Sequence, residues 1–320
     1  MEWFGVGKNG LPQQERRESK HSFPLFFATG GVTVPTTPKD LGIVLLEKDI
    51  RLLSTEEISF HFGSARSGRI VLTRVFKSAI WQAYTRIQSG EESPIIGNLR
   101  TFFYRFIKPI MQDIPENTFR KDPYETMLEV FEELVMDEQL FQYADFDLTD
   151  ENWQNRHLGT KHPHILVFAE KTGWSRFLRR WHEELGFSVL ALGGFPSALS
   201  SEYTVRAMRE VLAQDQKVRT IGIVDYDPSG WSIAKSFIQQ LSVCGLNVED
   251  PPLLIHPKHY QTQEIDMFAF SLPKRQPTKQ AKWMELSGGI EGQPKGLEAE
   301  SMPLERIDRL LRAEINRLIT

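Results

Sequence analysis

The sequence reads as an α/β protein in two parts, a helical segment followed by a mostly parallel sheet with helices on its faces. Three observations lead there. Residues ~54–110 place apolar side chains at helical spacing, and residues beyond ~160 alternate short buried runs with amphipathic ones. The length of 320 residues also exceeds what one hydrophobic core normally organises. Strands that alternate with helices are joined by crossovers, which makes them parallel.

Composition narrows the class. Apolar residues make up 40% and charged residues 25%, and no apolar run is long enough to cross a bilayer. The first twenty residues lack the apolar centre of a secretion signal. A single cysteine, Cys244, excludes an intrachain disulfide and a cysteine-rich zinc site. A reducing compartment is expected, cytoplasmic and nucleoid-associated, or nuclear in a eukaryote.

In order along the chain, residues 1–45 are rich in Gly, Pro, Thr and charge without periodicity and read as an arm. Residues 46–160 form the helical domain. There "TRVFKSAIWQAYTRI" carries Val75, Phe76, Ala79, Ile80, Ala83, Tyr84 and Ile87 on one face, and a turn-like "QSGEESPIIGN" precedes a second helix in "LRTFFYRFIKPI". "PYETMLEVFEELVMDEQL" is a further amphipathic helix. The boundary falls near Thr160. In residues 161–320, "HILVFAE", "FSVLALGG", "RTIGIVDYD" and "PPLLIHP" read as strands, separated by helices in "GWSRFLRRWHEEL", "EYTVRAMREVLAQD" and "GWSIAKSFIQQLSVCG".

Charge is uneven. The formal net value is −4. Arg66 to Lys108, however, holds eight Lys/Arg against Glu91 and Glu92, net +6, while Pro109 to Glu151 holds thirteen acids against Arg120 and Lys121, net −11. A basic helix-turn-helix stretch with interleaved aromatics is the pattern of a DNA-binding module, with Arg74, Lys77, Arg105 and Lys108 as phosphate contacts.

Ligands of parallel sheets bind at the carboxyl ends of strands. Glu170 ends the first strand of the second domain, and Asp225 and Asp227 end the third. Residues two apart on extended chain face one side, so both aspartates can serve one site. Three carboxylates there suit a hard divalent cation, Mg2+, which joins carboxylates to phosphate through retained waters. His162 and His164 form an H-x-H before the first strand and carry no role.

The set "ILVFAEK" with Glu170, "LALGGFPSA" with Gly193, Gly194 and Pro196, and "IVDYDPSGWSIA" with Asp225, Asp227 and Gly230 resembles the Toprim fold of topoisomerases, primases and some nucleases. "NLRTFFYRFI", with Arg100 and Tyr104, looks like the active-site helix of the type IIB topoisomerase A subunit (topoisomerase VI) and its relatives that make meiotic double-strand breaks. The resemblance implies a winged-helix-like domain that presents Tyr104 as nucleophile and Arg100 as phosphate clamp, followed by a Toprim domain. It also implies double-stranded DNA as substrate, a homodimer in which each metal site serves the other protomer's tyrosine, and a separate topoisomerase VI B-like ATPase chain, since this chain carries no phosphate-binding loop. Lys171 and Arg206 then become additional DNA contacts. Thr204 and Arg206 follow Pro196 at a longer spacing than in the family, and Ser175 stands where the family carries phenylalanine, which marks a divergent member. Glu298 and Glu300 match an acidic element near the family's C-terminal end. Toprim nucleases that hydrolyse DNA without a tyrosine share the D-Y-D-P-S-G form, so a hydrolase is the alternative, and a non-catalytic DNA-binding subunit the third.

Overall fold

The computed structural model describes residues 37–273 and 277–319. The arm expected over residues 1–45 lies outside the described residues as far as residue 36. Beyond that point the chain joins the core, with Ile43, Ile50 and Leu53 buried, and it is fixed to α2 (Leu72–Ser89) by Val44 N–H to Ser78 Oγ and Ile50 N–H to Gln82 Oε1, both 2.8 Å.

Local signals set the helices of the first half. α1 (Thr55–Phe62) opens with a capping box between Ser54 and Glu57. α2 ends at Gly90, whose φ of 79° is the left-handed stop that glycine adopts without strain. α3 (Leu99–Phe102) starts at Asn98, which accepts from Thr101 N, and runs through a π-helical turn, Phe103–Ile107, into α4 (Lys108–Met111). The π turn is closed by Lys108 N–H to Phe103 O. It sits directly before Pro109, which has no N–H to continue the ladder. α5 (Pro123–Glu132) is capped by Asp122 and also ends in a π-helical turn, Glu133–Asp137. These helices close over an aromatic core in which Phe102, Phe131, Phe141 and Phe146 meet edge to face at 5.0–5.8 Å. Burying one such ring stabilises by about 1.5–3 kcal/mol, so this core suffices to hold the short helices. Among the described residues 37–155 there is no strand; Gly63–Ile70 and Gly97–Leu148 are single bridges.

The second half is a sheet with helices on both faces. Its strands β1 (Arg156–His157), β2 (His162–Ala169), β3 (Phe187–Ala191) and β4 (Arg219–Ile223) lie in the order β1-β3-β2-β4. β2 pairs in parallel with β3 and β4, and β1 runs antiparallel to β3. The period of two divides the side chains between two cores. Ile165, Val167, Ala169, Val189 and Ile223 pack with α6 (Ser175–Leu185) and α11 (Leu304–Ile319). Leu166, Phe168 and Leu190 pack with α7 (Ala198–Val211) and α8 (Pro228–Val243) on the other face. The "PPLLIHP" segment was expected as a strand and makes only a single bridge, at Leu253, with another just before the segment at Val248. Pro251 and Pro252 have no N–H to donate to a ladder, so pairing stops after Pro252 O accepts from Gly222 N and Leu254 N donates to Gly222 O. The chain closes through α9 (Thr262–Phe268), β5 (Phe270–Ser271), α10 (Pro277–Ser287) and β6 (Lys295–Gly296), which pairs antiparallel with β5, before α11.

The two halves share packing. Ala198 and Leu199 of α7 are part of the helical core, and the buried Glu202 carboxylate accepts from Tyr143 N at 2.8 Å and Ala144 N at 3.0 Å. Among the described residues no helix is long and apolar enough to cross a membrane.

Candidate active site

The strand order decides where a ligand fits. From β2 the chain leaves through α6 on one face, and from β4 it leaves through α8 on the other, so a crevice opens between the carboxyl ends of these neighbours. Glu170 follows β2 at once. β4 ends at Ile223, two residues before Asp225, yet extended geometry persists because Tyr226 exchanges both backbone bonds with Leu297, at 2.8 and 3.1 Å. Tyr226 is buried, which leaves Asp225 and Asp227 on the opposite side of the chain.

Two of the three acids are linked directly, and the third interacts with both through its charge. Asp225 N donates to Glu170 Oε2 at 3.3 Å. Burial pushes the Glu170 carboxyl above the usual carboxylate range, and the charge of Asp225 pushes it further. Burial likewise raises Asp227, although its Oδ1 accepts from Gly230 N at 2.7 Å to cap α8. One cation balances the cluster: Lys171 Nζ lies 3.1 Å from Asp225 Oδ2 and 2.8 Å from Glu300 Oε2, and these bonds raise its own pKa despite burial of the side chain. Ala299 N adds a bond to Asp225 Oδ1 at 2.8 Å. The C-terminal segment 297–300 is therefore fastened to the site, with Glu300 reaching it through Lys171, while Glu298 is exposed.

Gly230 permits this fit. A Cβ there would lie 2.2 Å from the Asp225 carbonyl oxygen, so only glycine lets the first turn of α8 approach the aspartate loop. Across the crevice the loop after β3 is held by Gly194 N to Glu170 O at 2.8 Å, with Gly193 at φ 78° and Gly194 at φ 111°.

The donor chemistry fits magnesium: oxygen ligands only, and an excess of negative charge that burial makes costly. Among the described residues no three His, Cys, Asp or Glu side chains are drawn together as a finished cation cage. Lys171 and the Gly230 amide engage two of the three carboxylates directly. His162 and His164 lie at the start of β2, at the opposite end of the strand from Glu170.

Tyr104 and Arg100 stand on the helical half. Tyr104 is 51% exposed within the π turn, and Lys108 Nζ lies 4.8 Å from its ring centre. Arg100 is exposed and lies 4.5 Å over the Tyr124 ring, and its N–H edges have no hydrogen-bond partner among the described residues. Tyr84 instead packs against Trp81, Phe141 and Phe146, and burial raises its phenol pKa. Among the described residues no contact joins Tyr104 to the carboxylates.

The expected DNA contacts divide by their partners. Lys77 pairs with Glu133 at 2.7 Å, Arg105 with Glu92 at 2.5 Å, and Arg74 Nε reaches Gly42 O at 3.4 Å. Lys171 belongs to the acid cluster. Lys108 and Arg206 are exposed, each near a tyrosine ring. The basic segment thus spends much of its charge inside the fold, which linear charge counting does not register. The sequence offered Glu300 only as part of an acidic element near the C-terminal end, because its link to Lys171 spans 129 residues. No protein-family model matches the chain, and no curated protein sequence matches it.

Proposed function

We propose that the chain is a magnesium-dependent DNA-cleaving subunit, with a Toprim-like second half and a winged-helix-like first half that delivers Tyr104. The observation that carries this reading is the placement of Glu170, Asp225 and Asp227 around the crevice between the ends of β2 and β4, near enough that, beside burial, the charges of the two aspartates raise the Glu170 carboxyl. These three carboxylates would hold the ion. Bound magnesium supplies charge neutralisation at the phosphate and polarisation of its P–O bonds.

The chain's own residues account for the rest. Tyr104 Oη attacks phosphorus, its proton leaves to solvent, and the displaced deoxyribose oxygen takes up a proton, which leaves a tyrosyl-DNA phosphodiester. Lys108 Nζ, 4.8 Å from the ring centre, places a cation beside the nucleophile for the incoming phosphate. Arg100, over the Tyr124 ring, grips the non-bridging oxygens with its N–H edges. Since Tyr104 and the acids do not meet within one chain, a second copy supplies the complementary set. Resealing coupled to ATP would require a separate ATPase chain.

One observation favours a second reading, hydrolysis by water. Asp225 contacts both Lys171 and Glu170 within one chain, without Tyr104. Denaturing electrophoresis of end-labelled duplex DNA incubated with protein and magnesium separates the two. Covalent protein-DNA adduct lost in Tyr104→Phe supports transesterification; free ends produced equally by Tyr104→Phe assign hydrolysis.

A further inference from the structure

One concavity of the helical half lies away from these groups. It is a groove of about 940 Å³ between the α1–α2 turn, the segment 115–121 and α5. α5 separates it from the Arg100 side: Tyr124 and Leu128 lie on one face of that helix, and Thr126 and Glu129, which line the groove, on another.

Its cations are of a different kind from those expected on sequence. Arg69 and Arg120 are exposed, and among the described residues neither guanidinium has a carboxylate or carbonyl partner. Lys121 lines the groove too, paired with Glu129 at 2.9 Å in an exposed contact that contributes little. Glu129 is the one acid among the lining residues, so the groove is net positive. The turn that carries Arg69 is closed by Ser64 N to Arg69 O and Gly68 N to Ser64 O, both 2.8 Å, with Gly68 at φ 62°. Ser64 and Ser67 accept from the amides of Arg66 and Arg69, which leaves each hydroxyl proton free to donate. No aromatic ring lines the groove, so nothing in it can stack on a base. Guanidinium forks and hydroxyl donors without a base platform recognise phosphate oxygens and not sequence.

We propose that this groove binds the phosphodiester backbone of a nucleic acid, sequence-independently, as a second contact apart from Tyr104 and the acid cluster. The choice of polymer rests on the cleavage reading above.

The test is fluorescence anisotropy of a labelled random-sequence duplex with the full chain, in EDTA, across a salt series. The Arg69→Ala/Arg120→Ala double variant is expected to weaken binding equally for unrelated sequences and to reduce the slope of log K against log salt by about 2. The Arg69→Lys/Arg120→Lys variant should recover most of that slope, which a folding defect would not allow. An unchanged slope in the alanine variant overturns the proposal, as does competition by polyglutamate equal to that by duplex at matched charge. The two readings fail separately: if Asp225→Ala cleaves like the parent while the slope still depends on Arg69 and Arg120, only the cleavage reading falls. If Asp225→Ala abolishes cleavage and the slope ignores the arginines, only the groove falls.

Discussion

The amide of Asp225 donates to the Glu170 carboxylate across 3.3 Å, which ties the loop after β4 to the end of β2. The same contact holds two negative charges close together in a half-buried crevice. Such an arrangement costs stability unless a cation offsets it, and Lys171 is the only lysine or arginine in ion-pair contact with these acids among the described residues. The proposed role of these acids as cation ligands would account for that imbalance.

Gly230→Ala is expected to separate fold from site sharply. The added methyl would lie 2.2 Å from Asp225 O, so the aspartate loop or the first turn of α8 must shift. Urea unfolding should report a loss of about 1–3 kcal/mol, and magnesium-dependent cleavage should fall below detection. An alanine variant with parental stability and cleavage would show that the close approach is not needed.

Tyr104→Phe removes one oxygen from an exposed ring. Stability should change by less than about 0.5 kcal/mol, while covalent adduct formation disappears. Tyr84→Phe, within the aromatic cluster around Phe141 and Phe146, should leave adduct formation intact. Adduct that persists in Tyr104→Phe and vanishes in Tyr84→Phe would reverse the assignment.

Glu202 should give stability a distinct pH dependence. Burial raises its carboxyl from the ordinary 4.5 to about 7, against the opposing effect of the Ala144 and Tyr143 amides. The folded state therefore prefers the neutral acid. Its contribution is complete below about pH 4.5, is lost as the pH rises through about 7, and amounts to up to ~3 kcal/mol. Glu202→Gln, read by urea unfolding from pH 5 to pH 8 (about one pH unit per step), should flatten this decline. An identical slope in the variant would place the titration elsewhere. The adjoining Cys244 thiol, pushed up to about 12 by burial, should react slowly with alkylating reagents at neutral pH.

Much of the second half was legible in the sequence because its strands are short, continuously apolar and bounded by glycine or acid, as "ILVFAE" and "TIGIVDYD" are. The helix after D-Y-D-P-S-G begins at Pro228, with Asp227 as its cap, just where the proline and glycine signal it. "PPLLIHP" misled because its apolar content outweighed its missing N–H groups. The π turn around Tyr104 left no periodic signature beyond Pro109. Arg120 was hidden for another reason: it lies in a run of net charge −11, and only the fold brings it beside Arg69, ~50 residues earlier. For Lys77 and Arg105 the converse holds, since their partners Glu133 and Glu92 became visible only in three dimensions.

The most direct measurement is cleavage of a supercoiled plasmid by the purified chain, with magnesium or with EDTA, for the parent and for Asp225→Ala at matched concentration and verified folding. Linear or nicked product from the parent in magnesium alone, with none from Asp225→Ala, is the expected result. Equal cleavage by the variant, or cleavage by the parent in EDTA, would contradict a magnesium site built on Glu170, Asp225 and Asp227.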